Sequence, residues 1–339
     1  MNKFLLILFL NFILINIHAN SYEDYFNKAL EYHEKGDLNN AIEYYSKAIS
    51  LKSDLYEAYS NRGLVYNDLG MYDKAIDDYN IALDNGVESA VLYNNRGLAY
   101  FNKGMYEEAL FDYKNALRLD ENYADCYNNI GVLYAIQGIM DEAMNNFNIV
   151  LKIDPNNANA YNNIGLIYFG EEKYQKAVNN FTNAIVFNPG NFIFFKNRGD
   201  SYFLLEKYEE AYNDYETIQK TGSANLYIYF KHLIVSYKLS KAKFNKSYKN
   251  LKTNKNNFKN NQWQYLIASF ITDELKLEDF LSKCENDKEK LCEAYCYIGY
   301  KYLFEKKYVE AKEYFLKCID TGITNYIEYS LSKKELKKL

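Results

Sequence analysis

"YNNRGLAY" occupies residues 93–100, "YNNIGVLY" residues 127–134 and "YNNIGLIY" residues 161–168, each beginning 34 residues after the one before. A fixed interval of that length marks an internal repeat, so the chain is read unit by unit. The units run 22–55, 56–89, 90–123, 124–157, 158–191 and 192–225. Numbered from the first residue of each unit, Tyr59, Tyr93, Tyr127 and Tyr161 share position 4. Gly63, Gly97, Gly131, Gly165 and Gly199 share position 8, and Tyr32, Tyr66, Tyr100, Tyr134, Tyr168 and Tyr202 share position 11. Position 20 is Ala41, Ala75, Ala109, Ala143, Ala177 and Ala211; position 24 is Tyr45, Tyr79, Tyr113, Phe147, Phe181 and Tyr215. Pro155 and Pro189 close two units at position 32.

Positions 4, 8 and 11 lie along one face of a helix, and positions 20, 24 and 27 along one face of the next. Gly at 8 and Ala at 20 carry almost no side chain, so the paired helices approach closely there and the large rings fill the space on either side. One such pair cannot bury its apolar face alone, whereas a stack of pairs forms a continuous core. The aromatic columns are therefore core and not a cofactor box. The order of the pattern (aromatic-x₃-Gly-x₂-Tyr, then Ala-x₃-aromatic, then Pro) resembles the tetratricopeptide repeat (TPR) family over six units from Tyr22 to Asn225. The resemblance implies an all-α, right-handed superhelical TPR solenoid of antiparallel helix pairs, with a concave inner wall.

Differences between the copies carry further information. Position 7 is Arg62, Arg96 and Arg198 where position 23 is Asp78, Asp112 and Asp214. It is Ile130 and Ile164 where position 23 is Asn146 and Asn180. Arg changes with Asp and Ile with Asn, so the two positions are expected to touch. As exposed ion pairs they would each contribute at most about 1 kcal/mol.

Position 6 is Asn in all six units: Asn27, Asn61, Asn95, Asn129, Asn163 and Asn197. With 43 Asn in 339 residues, chance would give such a column on the order of once in ten thousand chains of this periodicity. A carboxamide both donates and accepts, so a column beside the buried stripe can pair with the backbone of an extended peptide. The TPR resemblance implies the same use of an asparagine ladder. Phe101, Phe169 and Phe203 at position 12 stand nearby and are candidates for contact with peptide side chains. A purely structural hydrogen-bonding role for the column stays open beside this one. The clamp that some TPR modules use for a C-terminal carboxylate is absent, its places being Phe26, Leu30, Val91 and Asn95.

From Leu226 the phase blurs. Residues 226–291 read as degenerate helical repeats interrupted by the polar loop "TNKNNFKNNQ", with Trp263 opening a further helix. The phase returns for a unit at 292–325, where Tyr295, Gly299, Tyr302, Ala311 and Phe315 stand at positions 4, 8, 11, 20 and 24. A last helix within 326–339 is expected to cap the array. Trp263, Gly299, Tyr302, Asn325 and Glu328 give the stretch from Trp263 to Leu336 a resemblance to the NlpI-like envelope lipoproteins. That resemblance implies a dimeric, non-enzymatic adaptor that docks an envelope protease and presents cell-wall hydrolases to it. The lipoproteins' acylated cysteine has no counterpart here.

The first residues differ from the rest. Residues 1–19 hold Lys3, an apolar run from Phe4 to Ile17 and the small Ala19, which reads as a secretory signal peptide; an uncleaved anchor is the alternative. Export to the periplasm or cell envelope follows as the expected location. The net charge of −5 hides an asymmetry. Residues 20–225 carry 17 Lys/Arg against 31 Asp/Glu, and residues 226–339 carry 22 against 14. The acidic, regular body argues against nucleic acid. Five cysteines include Cys292 and Cys296 one helical turn apart, a metal-ligand spacing without a nearby His, so buried free thiols are expected. Among His33 and His232 and the scattered carboxylates no nucleophile elbow, phosphate loop or zinc motif occurs. The expected function is that of an exported, cofactor-free, non-enzymatic adaptor for protein or peptide ligands. The alternative is a structural component of an envelope or surface assembly.

Overall fold

The computed structural model describes residues 21–222, 224–324 and 326–339. The proposed signal peptide and Asn325 lie outside the described residues. The described chain is all-α, and its helices follow one another as antiparallel pairs. It divides into two compact units, residues up to 163 and residues 164–339.

The N-terminal unit holds α1 (Tyr22–Glu34), α2 (Leu38–Leu51), α3 (Tyr56–Asp68), α4 (Tyr72–Asp84), α5 (Ala90–Asn102), α6 (Tyr106–Leu119), α7 (Ala124–Ile136) and α8 (Met140–Ile153). The boundary falls inside α9 (Ala158–Gly170). Ser21 starts the first helix with a capping box: its hydroxyl accepts from the Asp24 backbone N–H, and the Asp24 carboxylate accepts from the Ser21 N–H. The first helix of each pair ends in a left-handed residue at position 15, filled by Gly36, Gly70, Gly104 and Gly138. The following N–H then bonds back to the position-11 carbonyl, as from Met71 to Tyr66 at 2.8 Å, and satisfies a helix-end acceptor.

The two helices of a pair meet where the sequence places its smallest residues. A Cβ added to Gly63 would stand 2.7 Å from the Tyr79 ring, and one on Gly131 would stand 2.6 Å from the Phe147 ring. Ala41, Ala75, Ala109 and Ala143 stand one turn before the position-24 rings on the same second helices and are fully buried. At Gly63, Gly97, Gly131 and Gly165 the position-24 ring thus occupies the volume a side chain would need, whereas the first unit carries Ala29 at this position.

The C-terminal unit continues with α10 (Tyr174–Phe187), α11 (Phe192–Leu204), α12 (Tyr208–Lys220), α13 (Leu226–Leu239) and α14 (Lys241–Asn254). A 3₁₀ turn (Lys255–Phe258), α15 (Gln262–Ile271), α16 (Leu277–Ser282), α17 (Lys288–Phe304), α18 (Tyr308–Asp320) and α19 (Ile327–Leu336) complete it. Helix α13 is buried from Ile228 through Ser236, Lys231 and His232 included, so it is enclosed on every side and serves as this unit's central helix. The stretch read as a polar loop at 253–262 is more ordered than its composition suggests. Phe258 is buried and sets its ring edge-on to Tyr229, which anchors the 3₁₀ turn to α13.

Helix α19 lies across α17 and α18 and also reaches the end of α11. Lys238 of α13 bonds the buried Glu335 at 2.8 Å, and the Tyr297 and Tyr300 hydroxyls donate to Glu328 and Glu335. The Lys334 ammonium donates to the Phe203 carbonyl at 3.4 Å, and Lys338 pairs with Glu206. The terminal helix is therefore an inserted element with buried polar contacts and not an end cap alone.

Candidate functional site

The asparagine pairs of the repeated "YNN" stretch resolve into an amide ladder along successive first helices. The Asn129 carboxamide donates to Asn94 Oδ1 at 3.0 Å, and Asn163 donates to Asn128 Oδ1 at 3.0 Å. The second asparagine of one unit thus bonds the first asparagine of the unit before. Asn94, the acceptor, is buried, so the bond satisfies a polar atom that packing has withdrawn from water. The sequence singled out position 6; the position-5 partners Asn94 and Asn128 were visible in the same quoted stretches but were assigned no role.

The remaining predicted residues fall into distinct settings. Where position 5 of the preceding unit is not asparagine the ladder has no carboxamide oxygen to receive it: the residue is Phe26 before Asn61 and Ser60, with a shorter hydroxyl, before Asn95. Asn27, Asn61 and Asn95 accordingly make no side-chain hydrogen bond among the described residues. Asn27 is exposed, and Asn61 and Asn95 are half-buried. Phe101 and Phe169 are also half-buried, each ring resting on the tyrosine that opens its partner helix, Tyr106 at 5.7 Å and Tyr174 at 5.5 Å. In the C-terminal unit Asn197 and Phe203 are buried, 8% and 2% exposed. Phe203 lies beneath Lys334 of α19, whose ammonium stands 4.9 Å from the ring centre. The nine residues therefore do not form one equivalent column. Asn27, Asn61, Asn95 and Phe101 leave surface for a ligand, whereas Asn197 and Phe203 are enclosed.

The Arg/Asp positions make the contact that their joint variation implies. Arg96 binds Asp112 through two bonds of 2.7 Å and uses its remaining nitrogen on Asn80 of the preceding pair, also at 2.7 Å. Arg62 spans Asp78 and Ser46 in the same way, and Arg198 spans Asp214 and Thr182. One guanidinium therefore joins three helices, which its planar fork of donors permits. The pairs are not exposed: Asp78, Asp112 and Asp214 are 4%, 1% and 4% accessible, so the sequence-based estimate of their strength does not apply. Burial raises Asp78 above the ordinary carboxylate range against the pull of Arg62. Where position 7 is Ile, the asparagines at 23 turn onto their own helix. Asn146 donates to the Glu142 carbonyl at 2.8 Å and Asn180 to the Lys176 carbonyl at 2.9 Å.

A second buried network, not foreseen from sequence, sits in the C-terminal unit. Asp200 accepts from Lys231 at 2.8 Å and from the Tyr215 hydroxyl at 2.7 Å, with Lys196 at 3.3 Å. Burial alone would raise the Asp200 carboxyl; Lys231 and Lys196 outweigh it and hold the group below its usual range. The Asp200 carboxylate is thus fully paired within the fold, and its role is structural. Its signal in the sequence was the single Asp at position 9, where the other units have Leu or Val.

Among the described residues no helix is long and apolar enough to cross a membrane, and no cluster of metal-ligating side chains is present. The stacked pairs with their glycine–ring contacts define a repeat scaffold of the TPR class. A family model described as TPR repeat matches residues 29–70, 97–138 and 133–171, and one described as tetratricopeptide repeat matches 56–85 and 158–191. The chain carries tetratricopeptide repeats, which generally mediate protein or peptide binding.

The fold is similar to a tetratricopeptide repeat protein from Parabacteroides merdae ATCC 43184, at 22% identity and TM-score 0.52, over 68% of this chain and 91% of that one. It is also similar to PilF of Pseudomonas aeruginosa, at 17% identity and TM-score 0.52, over 62% of this chain and 94% of that one. PilW, a type IV pilus biogenesis factor, matches at 20% identity and TM-score 0.53, over 59% of this chain and 92% of that one. At these identities the likeness is one of fold. No curated protein matches the chain.

Proposed function

We propose that the chain is an exported, non-enzymatic adaptor whose first-helix face in the N-terminal unit holds extended protein segments. The observation that carries this reading is the set of carboxamides on Asn27, Asn61 and Asn95, which recur at one register of α1, α3 and α5 with no partner of their own. Each can donate to a carbonyl and accept from an N–H of an extended backbone, which gives affinity without demanding a side-chain sequence. Asn129 and Asn163 donate along the ladder; the Asn129 oxygen remains to accept from a bound segment, while that of Asn163 already accepts from Asn162 at 3.4 Å. Phe101 supplies apolar contact beside them, as does Phe169 in its own unit.

The finer role follows the NlpI-like ending: a dimeric adaptor in the periplasm or cell envelope that presents cell-wall hydrolases to a protease. Export is tested by fusing residues 1–21 to a reporter that is active only outside the cytoplasm. The binding site is tested by selecting peptides from a random library on the whole chain and measuring their affinities for two variants. Asn27→Ala/Asn61→Ala/Asn95→Ala is expected to weaken them at least tenfold with unchanged thermal stability. Asn129→Ala/Asn163→Ala is expected to lower stability as well. Equal affinity of the first variant and the parent refutes the site.

The amide ladder favours a second reading for part of the column. Asn129 and Asn163 hold successive repeats together, and in a structural component with no ligand this would be the column's whole purpose. That reading predicts that no selected peptide depends on Asn27, Asn61 or Asn95.

A further inference from the structure

Three cysteines gather in the last helix pair. Cys292 and Cys296 stand one turn apart on α17, Cys318 stands on α18, and all three are fully buried. The Cys292 and Cys318 sulfurs are 3.5 Å apart, and the Cys318 thiol also donates to the Cys292 carbonyl at 3.2 Å. The repeat explains the meeting. Cys292 is at position 1 and Cys318 at position 27 of the 292–325 unit, places held by Ala90 and Ala116 in the third unit. A crossing built for two methyl groups here brings two sulfurs into van der Waals contact. Closing the remaining gap to bonding distance, about 2 Å, asks for a small rotation of two short side chains within one helix pair.

We propose that Cys292 and Cys318 are a disulfide site that ties α17 to α18 when the chain folds in the presence of a small-molecule disulfide. The Cys292 thiolate attacks one sulfur of oxidised glutathione and releases one glutathione thiolate. The Cys318 thiolate then attacks the Cys292 sulfur of that mixed disulfide and releases the second. Two protein thiols and one glutathione disulfide become one protein disulfide and two glutathione thiols, so the electron pair and both protons leave on glutathione. The buried thiols of the closed pair are held mostly protonated: the Cys292 thiol is pushed up by its hydrogen bond with Cys318 and by burial. The reaction therefore belongs to the folding chain or to a transient opening of the pair, where thiolate and oxidant can meet. Cys296 also neighbours Cys318, but the 3.5 Å sulfur–sulfur contact is the one from Cys292, so Cys296 stays reduced. The inference is independent of peptide binding.

The test refolds the whole chain from reduced denaturant in a buffer of oxidised and reduced glutathione, blocks free thiols with iodoacetamide and maps the peptides by mass spectrometry. Three alkylated cysteines and a linked pair of peptides carrying Cys292 and Cys318 are expected, with a thermal midpoint that falls on adding dithiothreitol. Cys318→Ala should refold with four free thiols, no bridge and no response to dithiothreitol. Five alkylated cysteines in the refolded parent overturn the proposal, as does a bridge mapped to Cys296, Cys284 or Cys126. Should Cys318→Ala fail to refold, Cys292→Ala provides the same comparison from the other side of the pair.

Discussion

The contact between Arg96 and Asp112 invites a double-mutant cycle in which the protein itself supplies the replacement pair. Changing Arg96→Ile alone removes two bonds of 2.7 Å from a carboxylate that is 1% exposed, and also frees Asn80. A buried charge stripped of its partner costs about 3–5 kcal/mol. Asp112→Asn alone keeps one acceptor oxygen for the guanidinium and lets the cation reach water, since Arg96 is 15% exposed; a loss of about 1–2 kcal/mol is expected. The double variant recreates the Ile and Asn that stand at 130 and 146. There Asn146 finds the Glu142 carbonyl one turn back, and the carboxamide introduced by Asp112→Asn would find that of Glu108. The double variant should therefore lie within about 1 kcal/mol of the parent, which makes the coupling about 3–7 kcal/mol.

Urea unfolding followed by far-ultraviolet circular dichroism measures the cycle, with amide hydrogen exchange in α5 and α6 as the local readout. Trp263, the only tryptophan, lies in the C-terminal unit, so its fluorescence serves as an internal control for damage confined to the other unit. Repeat arrays can depart from two-state behaviour, and for that reason the exchange data carry the decision if the urea slopes differ. The reasoning is refuted if the double variant is as unstable as Arg96→Ile, or if Arg96→Ile costs under about 1 kcal/mol.

Gly131→Ala would place a methyl carbon 2.6 Å from the Phe147 ring and is expected to cost about 1–3 kcal/mol in thermal unfolding, with the loss recovered in part by a smaller residue at 147. Tyr79→Phe removes a buried hydroxyl that has no partner, so stability should hold or rise, whereas Tyr215→Phe deprives Asp200 of a 2.7 Å bond and should cost about 1–2 kcal/mol by the same assay. Glu293, half-buried against the Trp263 indole that donates to it at 2.7 Å, is pushed up to about 7 by burial. Because the folded chain holds this proton more tightly than the unfolded one, the stability it contributes is full below the ordinary carboxylate range and is lost as pH rises towards 7. Glu293→Gln should therefore flatten the fall in melting temperature between pH 4.5 and about 7, and an unchanged profile would refute the assignment.

The six strict repeats were legible in the sequence because their core depends on residue size at fixed intervals, with glycine at position 8 in five units and the small Ala29 in the first. The Arg/Asp contact was legible because two positions change together. Its strength was not, since burial of Asp112 comes from neighbouring pairs and leaves no mark on either residue. The ladder was half legible. Its bonds join position 6 to position 5 of the unit before, an offset that becomes visible only once the first helices are set side by side. Phe203 shows where periodicity misleads: by register it resembles Phe101 and Phe169, but a helix from the far end of the chain covers it. The anchoring of Phe258 was hidden by the lysines and asparagines around it.

Helix α19 also bears on the order in which the molecule is completed. The helix pairs form through neighbours in sequence, so they can close while the chain is still being made. The bonds from Lys334 to Phe203 and from Lys338 to Glu206 instead join residues 131 and 132 places apart. Until the last few residues have emerged, Lys238 lacks the carboxylate of Glu335 and the Tyr297 and Tyr300 hydroxyls lack their acceptors. The N-terminal unit is thus ready early, and the C-terminal unit is finished only once residues 327–338 have emerged. A chain cut short before residue 327 would present a mature first unit joined to an unfinished second one.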